Sequence, residues 1–475
     1  MEEFLSRHDH GLFIHGSFTP GLKGQHRPLV SPVTGLKWKS VHTASKSEIQ
    51  QAIESAREGF QVWRGTAPTQ RAHVLNRMAE LMIAHRQALA DTMVMEMGKP
   101  VKEALAEVEY AAGYFRWCAG EAVRTYGQVI PSHSDSKRLW VTEEPIGVCA
   151  AITPWNFPLA IPARKLAAAW AAGCSVIAKP SPEVPISMLA LAYLSQEAGL
   201  PPGVFNVLCG DEAMIGEGVL ASADVRKLSF TGSSEVGRML YARCAPTLKR
   251  VTMELGGHAP AVIFDDADLV RAVQQLIAAK LRNSGQTCVC PNRIYVQRNI
   301  AEAFSARLVD ELGKLRVGDP RLPDTDISEI LHPSSRQKVE AHRQDALDKG
   351  AHCLLGGSHP SDPMVLSDVT PEMMVMQGET FGPLFPLVCF DEDEEGIEKA
   401  NASPYGLAAY VFTQNAERGR RATEALHYGV IGWNDGLPSA PHAPFGGMQD
   451  SGFGREGGSR GIYEYLEQKY VSYGF

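Results

Sequence analysis

The residues best suited to covalent chemistry lie in the run Arg282-Asn283-Ser284-Gly285-Gln286-Thr287-Cys288-Val289-Cys290, a polar, glycine-containing loop. A cysteine in such a loop can be held near donors that favour its thiolate, the nucleophilic form of the side chain. Taken alone, a free cysteine is more often a buried apolar residue than a catalyst. Glu254, 34 positions earlier (288 minus 254), stands before Leu255-Gly256-Gly257, where two glycines allow the backbone to approach a ligand closely. A carboxylate there can activate water. Thr153-Pro154-Trp155-Asn156-Phe157-Pro158 follows a short apolar run, and the Asn156 amide offers a donor to an oxyanion, although asparagine beside proline commonly marks a turn. Lys179 ends the next apolar run, either as a surface lysine or as a cation over cofactor hydroxyls or phosphate. Phe230-Thr231-Gly232-Ser233-Ser234-Glu235-Val236-Gly237 has the character of a strand turning into a helix, whose N-terminus can receive phosphate, but it is not a GxGxxG motif.

The elements that must hold these residues show themselves by periodicity. Ser45 and Glu48 form a capping-box pattern ahead of Ile49, Ala52, Ile53, Ala56, Phe60 and Trp63, which recur at helical spacing. Two further helices are predicted, over 70–97 and 101–124, and another around Ala272 to Leu281 leads into the cysteine loop. From Gly147 onward, apolar runs alternate with helical stretches. Val148–Ile152, Ser175–Ala178, Val204–Leu208 and Lys227–Phe230 read as buried strands, and a second series holds Ala261–Phe264, Arg293–Val296 and Leu387–Phe390. Such alternation predicts parallel sheets with helices on both faces, in two α/β lobes. Arg138–Glu144 and Tyr470–Tyr473 read as strands without a following helix, and their edges invite pairing with another subunit.

Composition narrows the function class. The chain has 475 residues, 44% of them hydrophobic, with 46 basic against 54 acidic side chains and a net charge of -8. No basic footprint for nucleic acid is present, so a small-molecule partner is expected. Met1 to His10 lacks the apolar segment of a secretory signal, and no run is long enough to span a bilayer. The nine cysteines (118, 149, 174, 209, 244, 288, 290, 353 and 389) are odd in number and scattered, which predicts a reducing, cytoplasmic setting. With neither CxxC nor HExxH, no metal site is expected.

Taken together, PWNFP, FTGS, ELGG, GQTC, ETFGP (Glu379 to Pro383) and PFGG (Pro444 to Gly447), in this order along the chain, resemble the aldehyde dehydrogenase superfamily over nearly the whole chain. EMGKP at Glu96 to Pro100 and SGFGREG at Ser451 to Gly457 extend the likeness. The resemblance implies an α/β fold with a Rossmann-like cofactor domain (1–124 and 145–255), a catalytic domain (256–449) and a β-strand oligomerisation extension (125–144 and 450–475). It implies that Cys288 attacks an aldehyde, that Asn156 and the Cys288 backbone N-H hold the oxyanion, and that Glu254 activates the hydrolytic water. By the same resemblance Glu379 would bond the nicotinamide ribose of NAD(P)+, with Phe381 near the nicotinamide. Trp155 and Lys179 would lie along the adenosine half, and Gly232 and Ser233 at the pyrophosphate. Glu456 matches a proton-relay position.

The segments LRNSGQTCVC, KLSFTGS, FDDADL and GREGGSRGIYEYLEQKY are most similar to succinate-semialdehyde dehydrogenases. That likeness places a clamp for the substrate's distal carboxylate at Arg164, Arg282 and Ser439, and makes Cys290 a possible redox partner of Cys288. Guanidinium groups suit a carboxylate because they give charge-assisted, often bidentate bonds; the alternative is that both arginines sit on helix surfaces. His258, Gly378 and Ile327–Leu331 depart from the family pattern, and Pro182 stands where NAD-preferring relatives carry an acid, with Glu183 beside it. NAD and NADP therefore both stay open, as do succinate and glutarate semialdehyde. A homodimer or homotetramer is expected. A catalytically silent scaffold and a nicotinamide-free cysteine acyltransferase or esterase are the readings from other classes.

Overall fold

The computed structural model describes residues 1–20 and 25–475; residues 21–24, within the Pro/Gly-rich opening, lie outside the described part. The two predicted α/β series form two separate sheets. The first has eight strands, of which five are parallel, in the order Arg250–Glu254, Val225–Thr231, Val148–Ile152, Ser175–Lys179 and Phe205–Val207. Leu12–Ile14 and Ser17–Thr19 extend one side antiparallel, and Gly452–Phe453 pairs antiparallel with Arg250–Glu254 at the other. Chain order reverses between Val148–Ile152 and Val225–Thr231, and the carboxyl ends of strands at such a switch point open a crevice.

The second sheet has seven strands. Met364–Ser367, Leu384–Phe390, Pro291–Gln297, Ala259–Ile263, Ala408–Phe412 and Val430–Trp433 run parallel, and His352–Leu355 closes one edge antiparallel. The strands are apolar almost throughout because helices cover both faces.

Helix Lys46–Arg64 begins with the predicted capping box: Ser45 accepts from the Glu48 N-H, and Glu48 accepts from the Ser45 N-H. The predicted 70–97 helix is two helices, Pro68–Ala84 and Arg86–Met97, because His85 (φ -106°, ψ 22°) breaks the run. Gly98 ends the second in the left-handed region, φ 75°, where glycine carries no Cβ penalty. The predicted 101–124 helix spans Val101–Ala122.

The two orphan strands pair with each other. Lys137–Pro145 lies antiparallel to Leu466–Gly474 in register Leu466 with Pro145 through Gly474 with Lys137, and Gln128–Ile130 adds a third strand. Each thus finds a partner strand within the chain, where the sequence suggested a second subunit. The two outer strands still leave open edges among the described residues.

Candidate active site

The Cys288 loop owes its path to an unusual turn. After helix Leu269–Leu281, Asn283 (φ 52°), Ser284 (φ 56°) and Gly285 (φ 82°) all adopt left-handed backbone. For a residue with a Cβ this costs about 1–2 kcal/mol, so neighbours must hold it. The Asn283 N-H donates to Glu103 at 2.6 Å, its side-chain amide donates to the Asn156 carbonyl at 3.1 Å, and Ser284 Oγ accepts from the Ser328 N-H at 3.0 Å. Gly285 presses on the next loop: a Cβ there would lie 2.6 Å from the Gly382 carbonyl carbon. Leu331 N-H donates to Gln286 Oε1 at 2.9 Å, so the segment that departs from the family pattern buttresses this turn.

Cys288 emerges half-buried, its Sγ-H donating to Glu254 Oε1 at 3.1 Å. Glu254 ends its strand almost wholly buried, and the glycines after it are required: a Cβ on Gly257 would lie 2.2 Å from the Cys288 carbonyl oxygen. Burial pushes the Cys288 thiol well above its usual range, the Glu254 charge adds to this, and Arg164 opposes it. The loop pattern predicts a thiolate; here the thiol is favoured, because burial and the adjoining Glu254 carboxylate both oppose the charged form.

Arg164 lies on helix Ala160–Ala172, not on a surface but 5% exposed. It donates to Glu254 Oε2 at 3.3 Å, approaches Glu456 Oε2 to 3.0 Å, and stacks over Phe445 at 4.4 Å. Lys165 donates to the other Glu456 oxygen, and these cations hold the Glu456 carboxyl below its usual range despite burial. Arg282 differs: half-buried, it lies over the Phe157 ring at 4.7 Å and forms no ion pair among the described residues. Cys288, Arg164, Arg282 and Ser439 line one narrow cavity, which continues past Arg282 and Ser439 into a wider one of about 430 Å³ beside Tyr110 and Leu437.

Asn156 is buried, with one amide N-H bonded to the Gln286 carbonyl at 3.0 Å and its Oδ1 without a partner. An amide carries two N-H donors, so one is left for another acceptor. Trp155 packs edge-on against His332 (4.7 Å between centroids) and Phe381 (5.7 Å), and Phe381 itself is held at φ 60°.

At the switch point of the first sheet lies a crevice of about 570 Å³ lined by Trp155, Lys179, Glu183, Gly232, Ser233 and Arg243. Ser233 Oγ caps helix Ser234–Cys244 by accepting from Val236 N-H at 3.3 Å, leaving first-turn N-H groups at the crevice. Lys179 is ion-paired with Glu212, and Ser181 donates to Glu183. Pro182 supplies no polar side chain beside them.

Glu379 stands by Gly256: a Cβ on that glycine would be 3.4 Å from Glu379 Oε2 and 3.5 Å from Ser234 Oγ. Its Oε1 is buried without a partner, and burial pushes its carboxyl up to about 8. An orphaned carboxylate oxygen, a helix N-terminus and a crevice at the sheet's switch point fit a dinucleotide whose hydroxyls and phosphates supply the missing partners. His258 is buried and neutral, donating to the Met376 carbonyl at 3.0 Å, its ring pushed down to about 3. The Cys290 and Cys288 sulfurs are both free and bonded apart, Cys290 Sγ-H donating to the Lys280 carbonyl at 3.5 Å. Gly378 precedes Glu379 in extended backbone.

The motifs do not assign Lys99, which donates to the Asn156 carbonyl, Glu103, which accepts from the Asn283 N-H, or Glu107, which accepts from the Leu159 and Ala160 N-H groups. Their four-residue spacing across EMGKP and the following helix was the available signal. Among the described residues no cluster of three or more His, Cys, Asp or Glu is placed to hold a metal, and no helix is long and apolar enough to cross a membrane.

Comparison with known proteins agrees over nearly all of the chain. The sequence pattern of the aldehyde dehydrogenase family matches residues 18–471. The NADP(+) succinate-semialdehyde dehydrogenase GabD of Escherichia coli is 44% identical, covering 97% of both chains. A glutarate-semialdehyde dehydrogenase of Pseudomonas putida is also 44% identical, over 97% of this chain and 96% of that protein. The crystal structure of an E. coli NADP dependent enzyme superposes with a TM-score of 0.97 at 43% identity, covering 100% of this chain and 99% of the other.

Proposed function

The chain belongs to the aldehyde dehydrogenase family, and we propose that it oxidises succinate semialdehyde to succinate with Cys288 as nucleophile, Glu254 as base and Asn156 as oxyanion donor. The enzyme is an NAD(P)+-dependent oxidoreductase acting on the aldehyde group. The observation that carries the substrate is the cavity in which Cys288 shares its walls with Arg282, Arg164 and Ser439. A guanidinium already over an aromatic face and without a carboxylate partner favours an incoming one.

In this mechanism Glu254 takes the Cys288 proton along their hydrogen bond, and the sulfur adds to the aldehyde carbon. The free Asn156 N-H and the Cys288 backbone N-H receive the oxyanion. NAD(P)+, when bound, would supply the hydride acceptor that lets the thiohemiacetal become a thioester. Glu254, once it has released the first proton to solvent, removes a proton from water, which adds to the thioester carbonyl, and the C-S bond breaks to release acid and thiolate. Arg164 stabilises the Glu254 carboxylate, and Glu456, held ionised between Arg164 and Lys165, keeps that guanidinium in place. Cofactor would be held by Lys179, Trp155, Gly232 and Ser233 in the crevice, with Glu379 and Phe381 at its nicotinamide half. Basic Arg243 and acidic Glu183 line the same crevice, so NAD and NADP are both accommodated.

Glutarate semialdehyde is the second reading, supported by the cavity's continuation past Arg282. One methylene is worth only about ten- to 200-fold in discrimination. We assign 1–124 and 145–255 to cofactor binding, 256–449 to catalysis, and 125–144 with 450–475 to assembly of a cytoplasmic homodimer or homotetramer. A possible Cys288–Cys290 disulfide requires both sulfurs to leave their present partners.

The test is an aldehyde panel followed by formation of reduced nicotinamide. Succinate or glutarate semialdehyde is expected to exceed butanal in kcat/KM, and Arg282→Ala is expected to raise KM for the semialdehyde about 10- to 100-fold, the equivalent of a charged hydrogen bond of about 1.5–3 kcal/mol. Equal losses for butanal would remove the clamp, and no reduced cofactor from any aldehyde would remove the activity.

A further inference from the structure

Lys99, Glu103 and Glu107 stand four residues apart, where the Glu96 to Pro100 segment enters helix Val101–Ala122. They form a closed ring with the two loops at the nucleophile. Glu107 Oε1 accepts from the Leu159 and Ala160 N-H groups at 2.9 and 3.0 Å, capping helix Ala160–Ala172, whose own N-cap Leu159 offers no side-chain acceptor. The other Glu107 oxygen pairs with Lys99, both groups almost wholly buried. Lys99 Nζ also donates to the Asn156 carbonyl at 3.0 Å and lies 4.0 Å from the Phe157 ring centroid. Asn283 Nδ2 donates to that same carbonyl at 3.1 Å, and Glu103 closes the ring on the Asn283 N-H at 2.6 Å.

We propose that Lys99, Glu103 and Glu107 are positioning residues that set the Asn156 amide against the left-handed turn carrying Cys288. The argument rests on the oxyanion role proposed for Asn156. A buried ion pair is a poor device for stability alone, since apolar residues of similar volume often serve as well. This one spends its hydrogen bonds on the backbone of Asn156 and on the helix start directly after it. Misplacement by about 1 Å can cost about 100-fold in rate, which makes the ring a rate-setting feature.

A double-mutant cycle on the full chain separates this role from a structural one. Asn156→Ala is expected to lower kcat about 100-fold. Lys99→Met should lower kcat about tenfold with KM for aldehyde and for NAD(P)+ within about twofold, and should cost less than about threefold when Asn156 is already alanine. Glu103→Leu should lower kcat, while Glu103→Gln, which keeps an acceptor for the Asn283 N-H, should restore most of it. If Asn156→Ala leaves kcat unchanged, the oxyanion reading fails by itself. If Asn156→Ala is slow but Lys99→Met multiplies in full upon it, the positioning role is overturned. Should Lys99→Met not fold, the half-buried Glu103 pair decides, equal kcat for Leu and Gln overturning the proposal.

Discussion

Cys288 sits between opposed influences: the Glu254 carboxylate accepts its proton in a hydrogen bond, and the Arg164 guanidinium draws that carboxylate away. Burial and Glu254 win, so in the free enzyme the thiol titrates well above neutrality. Iodoacetamide alkylation of Cys288 is therefore expected to rise about tenfold per pH unit from pH 7 to 9 without a plateau, because only the thiolate reacts. A plateau near pH 7 would show that the thiolate is already formed. Glu379 supplies a second pH dependence. Its carboxyl, raised to about 8, is largely neutral below that pH, whereas two ribose hydroxyls are best received by the ionised form. NAD(P)+ binding should tighten as pH rises from 6 to 8.5 and lose that dependence in Glu379→Gln, as titration calorimetry would record. The identity of Cys288, Glu254 and Asn156 was legible from motif and order. The setting of the thiol was not, since it depends on Glu254 and Arg164, which come from other strands and helices.

At the scale of elements, the turn from Asn283 to Gly285 is the most demanding local feature. Gly285→Ala would place a Cβ at left-handed φ and against the Gly382 carbonyl, so an activity loss of at least about tenfold is expected, as misplacement of Cys288 by a fraction of an ångström suffices. Activity within about twofold of the parent would mean the loop relaxes without consequence. Arg164→Ala is expected to destabilise the fold by about 3–5 kcal/mol, because Glu254 would be left as a buried charge without a counter-charge and Glu456 with Lys165 alone; a denaturant midpoint close to that of the parent would argue against the network. Periodicity located the helices of the first third, the helix before the cysteine loop and the central strands of both sheets, but not Met364–Ser367, Ala408–Phe412 or Val430–Trp433, and the capping box marked one helix start. The break at His85 escaped it because apolar spacing runs on through both helices and the change is in one residue's backbone.

The whole molecule joins two sheets through loops that bring their polar ends together at Cys288 and the crevice. Outside them stands the three-stranded sheet of 128–130, 137–145 and 466–474, whose outer strands have open edges and whose end exposes Tyr470, Tyr473 and Phe475. Removing 468–475 is expected to lower the oligomeric state measured by light scattering; an unchanged mass would place the assembly surface elsewhere. The amino-acid sequence by itself determined the α/β alternation and the family, and supplied the residues proposed for the site, because these depend on residue types at short spacings. Only the tertiary structure decided that Lys137–Pro145 pairs with Leu466–Gly474, that Arg164 is bound to Glu254 and Glu456 while Arg282 has no ion pair among the described residues, and that a thiol rather than a thiolate rests at Cys288. Each of these depends on desolvation and hydrogen bonding between groups far apart in the chain, which no local pattern encodes.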